Sequence, residues 1–197
     1  MKYVIGLTGG TGAGKSAVSR FLESKGATVI DADALSREIT KEGGVAIHEI
    51  DEAFPGVIND GVLDRKALGK IVFSDAEKLL ILNRITHKYI IKLTEEEIEK
   101  SDGLIILDAP LLFEAGEDSL CNKVIFVAAD DDVRIKRIME RDNLTYQDAE
   151  MRINARNLST IIEKCDFVVE NNGDVKVLCK EVWEFIEECA GKDIISE

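Results

Sequence analysis

Three features of this 197-residue chain predict an α/β fold in which about five parallel strands form a doubly wound sheet. Short, almost wholly apolar runs recur along the chain, as buried parallel strands require. Helix-compatible stretches separate them. The residues able to do chemistry follow the apolar runs directly, which puts them at the carboxyl ends of strands, where such sheets bind ligands.

Taken in order, Tyr3-Val4-Ile5-Gly6-Leu7 is the first strand. Val18, Phe21 and Leu22 then fall at helical spacing on a helix that begins near Lys15 and stops at Gly26. Thr28-Val29-Ile30 is a β-branched strand ending in Asp31-Ala32-Asp33, and Ala34 to Lys41 is helix-compatible up to Gly43-Gly44. From Val45 to Lys100 the pattern is mainly helical, with turn signals at Phe54-Pro55-Gly56 and Asn59-Asp60-Gly61. Asp64 suits an N-cap for a helix through Leu68, Ile71 and Val72, and Leu79, Leu82, Ile85, Tyr89 and Ile90 mark the apolar stripe of a longer one.

Leu104-Ile105-Ile106-Leu107, ending in Asp108, and Val124-Ile125-Phe126-Val127 are the next strands. Arg134, Arg137 and Arg141 share one helical face, and a second helix from Thr145 is expected to carry Arg152 and Arg156. Phe167-Val168-Val169 is the fifth strand, Asn171-Asn172-Gly173 its turn. Val175, Leu178, Val182, Ile186 and Cys189 form the buried face of a C-terminal helix.

Composition narrows the function classes. Lys and Arg number 25 against 38 Asp and Glu, a net charge of −13 that repels nucleic acid and anionic lipid. No apolar run reaches the ~18 residues of a membrane span, and the first strand leaves no room for a signal peptide. The four cysteines and two histidines show no metal-ligand spacing, so free thiols and a cytoplasmic location are expected.

The strongest motif is Gly9-Gly10-Thr11-Gly12-Ala13-Gly14-Lys15-Ser16, which reads G-x-x-x-x-G-K-S between a strand and a helix. That is the phosphate-binding loop of nucleoside triphosphatases and small kinases. Its glycines let backbone N–H groups wrap a triphosphate, the helix adds its positive dipole end, and Lys15 reaches the β- and γ-phosphates. Gly9, Thr11, Gly12, Ala13, Gly14, Lys15, Ser16 and Ala17 are therefore the candidate ATP-binding residues, with the Ser16 hydroxyl for Mg²⁺.

Phosphoryl transfer also calls for a carboxylate near the attacking hydroxyl and for cations around the moving group. Asp33 is the candidate carboxylate, although by position alone it serves equally well as a helix N-cap, and Asp31 is the more structural of the two. Asp108 matches the second acid that holds Mg²⁺ or its water, with a loop cap as the alternative. The arginine face reads either as a solvated surface or as a lid over the triphosphate. His87, on a largely apolar helix, reads as a packed or capped histidine.

The motifs together resemble the dephospho-CoA kinase family. The resemblance rests on Thr8 through Ser16, Val29-Ile30-Asp31-Ala32-Asp33 with Arg37, and Gly61-Val62-Leu63-Asp64-Arg65 with Leu68-Gly69. It continues through Ile85-Thr86-His87, Leu107-Asp108-Ala109-Pro110-Leu111-Leu112-Phe113-Glu114, Arg137 to Arg141, Arg152-Ile153 and Asp166 to Gly173. It implies a phosphate-loop kinase core at 1–32, 101–130 and 158–197, a helical CoA-binding insertion at 33–100 and a lid at 131–157. It further implies transfer of the ATP γ-phosphate, with Mg²⁺, to the ribose 3′-hydroxyl of dephospho-CoA. Asp33 becomes the base, Arg141 the lid residue on the transferring phosphate and Arg137 its neighbour on ATP. Asp33, Arg37, His87 and Asp108 fall on the acceptor side. The chain departs from the family pattern at Lys88, usually proline, and at Arg156, usually glutamine. A nucleoside-monophosphate kinase or a nucleotide-dependent switch are the rival readings, and the chain lacks the N-K-x-D or T-K-x-D segment of guanine readers.

Overall fold

Each apolar run becomes a strand because only a sheet covered on both faces can bury side chains pointing both ways. The computed structural model describes residues 1–191 and residue 194. In chain order, β1 (Lys2–Gly9) leads into α1 (Lys15–Ser24), and β2 (Thr28–Asp31) into α2 (Ala32–Ile39). Then come α3 (Ile47–Ala53), a hairpin of β3 (Ile58–Asn59) and β4 (Val62–Leu63), α4 (Arg65–Val72) and α5 (Ala76–Lys100). β5 (Gly103–Asp108) is followed by the short α6 (Leu112–Ala115) and a 3-10 turn at Glu117–Leu120. β6 (Lys123–Ala128), α7 (Asp131–Asp142), α8 (Tyr146–Asn154), α9 (Ser159–Ile162), β7 (Phe167–Glu170) and α10 (Val175–Ala190) complete the chain.

The described chain divides into two compact units. One is Met1–Ile30 together with the described residues from Lys100 on, and the other is Asp31–Glu99. The second begins at Asp31 rather than at Asp33 and ends at Glu99 rather than at Lys100. The expected lid segment lies within the first unit.

The five-stranded sheet of the first unit runs β2-β5-β1-β6-β7 and is parallel. Leu7 stands opposite Asp108, Gly9 opposite Val127, and Ala128 opposite Glu170, so the loops leaving these strands share one edge. Ile5, Leu7, Ile106, Ile125 and Val127 pack from the sheet against Val18 and Leu22 of α1 and Leu178, Val182 and Ile186 of α10. Among the described residues no helix is long and apolar enough to cross a membrane, and all four cysteines are free thiols.

The second unit has its own core, formed by Ile39, Ile50, Phe54, Leu63, Leu68, Val72 and Ile90 among others. The hairpin is a fold feature that the pattern marked only as a turn. Asp60 and Gly61 both take positive φ (50° and 81°), the conformation that joins two strands through a two-residue reverse turn. Strands of two residues are too short to show any alternation. As expected, Asp64 caps α4, its carboxylate accepting from the N–H groups of Lys66 and Ala67 at 3.0 and 2.9 Å. Asp64→Ala should therefore lower unfolding free energy by about 1 kcal/mol in chemical denaturation.

Candidate active site

The phosphate loop fills the crossing from β1 to α1, and its shape is set by what holds its carbonyls. Gly12 (φ 80°) and Gly14 (φ 99°) take the left-handed backbone that a side chain resists. A Cβ on Gly14 would also stand 2.2 Å from Nδ2 of Asn171. The Thr11 carbonyl accepts from Nε of Arg134 at 3.0 Å. The Ala13 carbonyl accepts from Nδ2 of Asn171 at 2.7 Å and from Arg137 at 3.3 Å, and Arg137 also donates to Oδ1 of Asn171 at 3.4 Å. In a trans peptide the C=O and the next N–H point opposite ways. Drawing the Thr11 and Ala13 carbonyls toward these side chains therefore turns the N–H groups of Gly12 and Gly14 to the other side.

Arg134 is 6% exposed and Asn171 only 2%. The buried guanidinium of Arg134 is compensated by Asp131 at 2.9 Å, one turn earlier on α7. Arg134 was read from the sequence only as part of the arginine face, solvated or lid, and Asn171 only as part of a turn; neither was read as a brace for the loop. The signals were present, since Arg134 opens the arginine face and Asn171 follows a strand at the binding edge. A solvated helix and an ordinary turn explained them equally well until coordinates showed their partners. Of the three arginines, then, Arg134 and Arg137 brace the loop backbone.

Lys15, in the first turn of α1, is ion-paired with Asp108, at the end of β5. Both side chains are largely buried. Ser16 beside it is exposed, and among the described residues its hydroxyl has no hydrogen-bond partner. The Ser16 hydroxyl and the Asp108 carboxylate are oxygen donors of the kind Mg²⁺ takes together with phosphate oxygens and water. The donor set therefore fits the metal that the motif implies. Among the described residues no group of three or more His, Cys, Asp or Glu could hold a metal ion.

Arg141, at the end of α7, is 61% exposed and grips the carboxylate of its neighbour Asp142 at 2.8 and 2.9 Å. Arg152 of α8 reaches the same carboxylate at 2.5 Å. Hydrogen bonding to Arg141 holds the Asp142 carboxyl below its ordinary value, against a smaller opposing effect of desolvation. Arg156 lies beyond the end of α8 rather than on it, because the helix stops at Asn154. Its guanidinium makes a two-point contact with Glu114 at 2.6 and 2.7 Å, tying the chain after α8 to α6.

In the second unit, Asp31 is the N-cap of α2, accepting from the Ala34 N–H at 3.0 Å and standing 3.5 Å from Arg37. Asp33, in the first turn, is exposed, and among the described residues its carboxylate has no partner. The capping alternative for Asp33 is thereby taken by its neighbour. His87 is half-buried on α5. Lys88, at the position where the family usually has proline, lets α5 continue unbroken and joins Glu49 at 2.5 Å, with the Tyr89 hydroxyl donating to the same carboxylate.

Comparisons with known proteins show the family of the chain. A family model described as dephospho-CoA kinase matches residues 3–176. A dephospho-CoA kinase from Fusobacterium nucleatum is 43% identical over 188 residues, covering 93% of this chain and 97% of that one. The solved dephospho-CoA kinase from Campylobacter jejuni superposes with a TM-score of 0.68 at 28% identity, over 95% of this chain and 97% of that chain. The shikimate kinase of Acinetobacter baumannii shares the fold alone, with a TM-score of 0.56 at 16% identity, over 98% and 97% of the two chains.

The bracing of the loop predicts a split between two arginines. Arg134→Ala leaves the Thr11 carbonyl without its partner and should cost about 1–3 kcal/mol of stability, with weaker ATP binding. Arg141→Ala removes an exposed pair worth about 0–1 kcal/mol and should lower kcat with little change in melting temperature. Thermal melts and steady-state kinetics of the two variants check this.

Proposed function

The chain belongs to the dephospho-CoA kinase family and is an ATP-dependent phosphotransferase, and from that premise we propose how its residues carry the ATP γ-phosphate to the ribose 3′-hydroxyl of dephospho-CoA. The observation that carries the reading is the braced loop, whose N–H groups at Gly12 and Gly14 are turned away from their anchored carbonyls. It forms a cradle for a triphosphate along Gly9 to Ala17.

Lys15 neutralises the β- and γ-phosphate oxygens, exchanging its contact with Asp108 for the nucleotide. When bound through Ser16 and Asp108, Mg²⁺ supplies charge neutralisation across the phosphates. Asp33 accepts the proton of the attacking 3′-hydroxyl. Its exposure and lack of a competing partner among the described residues support that role. Arg141 stabilises charge on the transferring phosphoryl from the lid at 131–157, and Arg137 both braces the loop and faces ATP. Arg37 and His87 contribute to holding the acceptor, within the unit that spans Asp31–Glu99. The four free cysteines fit a cytoplasmic enzyme.

A coupled assay offering dephospho-CoA, AMP, adenosine and water as acceptors tests the proposal. Turnover is expected with dephospho-CoA and not with the others; equal use of AMP would make the protein a nucleoside-monophosphate kinase. Asp33→Asn keeps the shape and removes the proton acceptor. It should lower kcat by about 10²–10⁴ while leaving ATP affinity largely intact, and a near-normal kcat would remove Asp33 from the chemistry.

A further inference from the structure

On the first unit, the second half of α1 and the first half of α10 flank an open groove of about 340 Å³. Its walls are Phe21, Val175, Cys179 and Trp183, with Phe21 and Trp183 meeting edge to face at 6.2 Å. Its rim is basic, made by Lys25, Lys176 and Lys180. The Lys25 ammonium lies 5.7 Å from the Phe21 ring centroid and 5.4 Å from that of Trp183. In a chain of net charge −13, lysines would be expected to find carboxylates. Lys180 does, with Glu184 at 3.5 Å. Among the described residues the ammonium groups of Lys25 and Lys176 have no carboxylate partner. The nearby Glu187 is occupied by the indole N–H of Trp183 at 2.8 Å.

An apolar slot whose rim carries two ammonium groups without a carboxylate among the described residues favours one kind of occupant. The body must be apolar to displace water from the aromatic walls, and the head must be an anion to sit among the lysines. A neighbouring hollow that shares Lys25 and Trp183 is lined by Asp102 and lacks this bias. We propose that the slot between α1 and α10 is a second binding site, for a small free amphipathic anion such as a carboxylate carried on an aliphatic chain or an aromatic ring. It is separate from the phosphate loop, since along α1 Phe21 and Lys25 stand about 9 and 15 Å beyond Lys15.

Trp183 is the only tryptophan in the chain, so its fluorescence reports on the slot directly. The full-length protein is titrated with octanoate, with and without saturating ATP, and with 1-octanol as the uncharged control. A saturable change in Trp183 emission is expected that ATP does not displace, with octanol weaker by about tenfold, a difference of 1.4 kcal/mol. The double variant Lys25→Glu/Lys176→Glu should lose octanoate binding by about tenfold or more, with kinase activity unchanged and only a small fall in melting temperature from the lost Lys25–aromatic contacts. Lys25→Gln/Lys176→Gln provides a milder version should the charge reversal disturb folding, and it should fall between the two. Equal binding of octanol, displacement by ATP, or unchanged affinity in both variants overturns the assignment. So does cosedimentation with phosphatidylglycerol vesicles without a saturable octanoate response, which would make the patch a lipid-surface contact.

Discussion

The active geometry depends on two backbone carbonyls. A glycine-rich loop has the freedom to adopt many shapes, and freedom alone would make a poor receptor, because ordering it on binding costs about 1–2 kcal/mol per residue. Here the ordering is done during folding. Asn171, buried after β7, and Arg134 and Arg137, one turn apart on α7, hold Thr11 and Ala13 by their oxygens. The glycines then contribute what only they can, namely room. At Gly14 the amide of Asn171 occupies the space where a side chain would begin. Glycine and asparagine at these positions are two halves of one arrangement.

That arrangement assigns different work to neighbouring residues of one helix. Arg134 and Arg137 are spent on the loop backbone, while Arg141, further along α7, is held at the surface with Asp142 and Arg152. An arginine that braces a loop is best buried and rigid, as Arg134 is, whereas the role proposed for Arg141 calls for an exposed and movable one. One helix carries both environments, buried at Arg134 and exposed at Arg141. The two-point Arg156–Glu114 contact shows a similar economy at the other end of the segment, joining the chain after α8 to α6 with a fork geometry that glutamine cannot reproduce.

Much of this was legible in the sequence. The strands were readable because parallel strands buried on both faces leave continuous apolar runs, and the phosphate loop because its glycines and Lys15 stand at fixed spacing between a strand and a helix. Asp64 was readable as a cap because capping is local. What escaped was short or non-local. The β3–β4 hairpin and the helices α6 and α9 are too brief to show a period. Arg156 was read onto α8 because an i, i+4 spacing from Arg152 does not reveal where a helix stops. The bracing roles of Arg134 and Asn171 were missed because their partners are the loop carbonyls, at sequence separations of 123 and 158. No spacing rule connects a side chain to a peptide oxygen at the other end of the chain.

The pairing of Lys15 with Asp108 has a consequence for how anions compete for the loop. Glycine N–H groups, a helix terminus and an ammonium would make an empty cradle a strong trap for any phosphate or sulfate. Because Asp108 is part of the same chain, it acts as a tethered rival whose effective concentration near Lys15 no dissolved ion matches. A simple inorganic anion must evict it for a single phosphate's worth of contact. Under the proposed roles, a nucleoside triphosphate brings enough oxygens to satisfy Lys15 and the backbone donors together, so the internal salt link would act as a threshold favouring the polyphosphate over small inorganic ions.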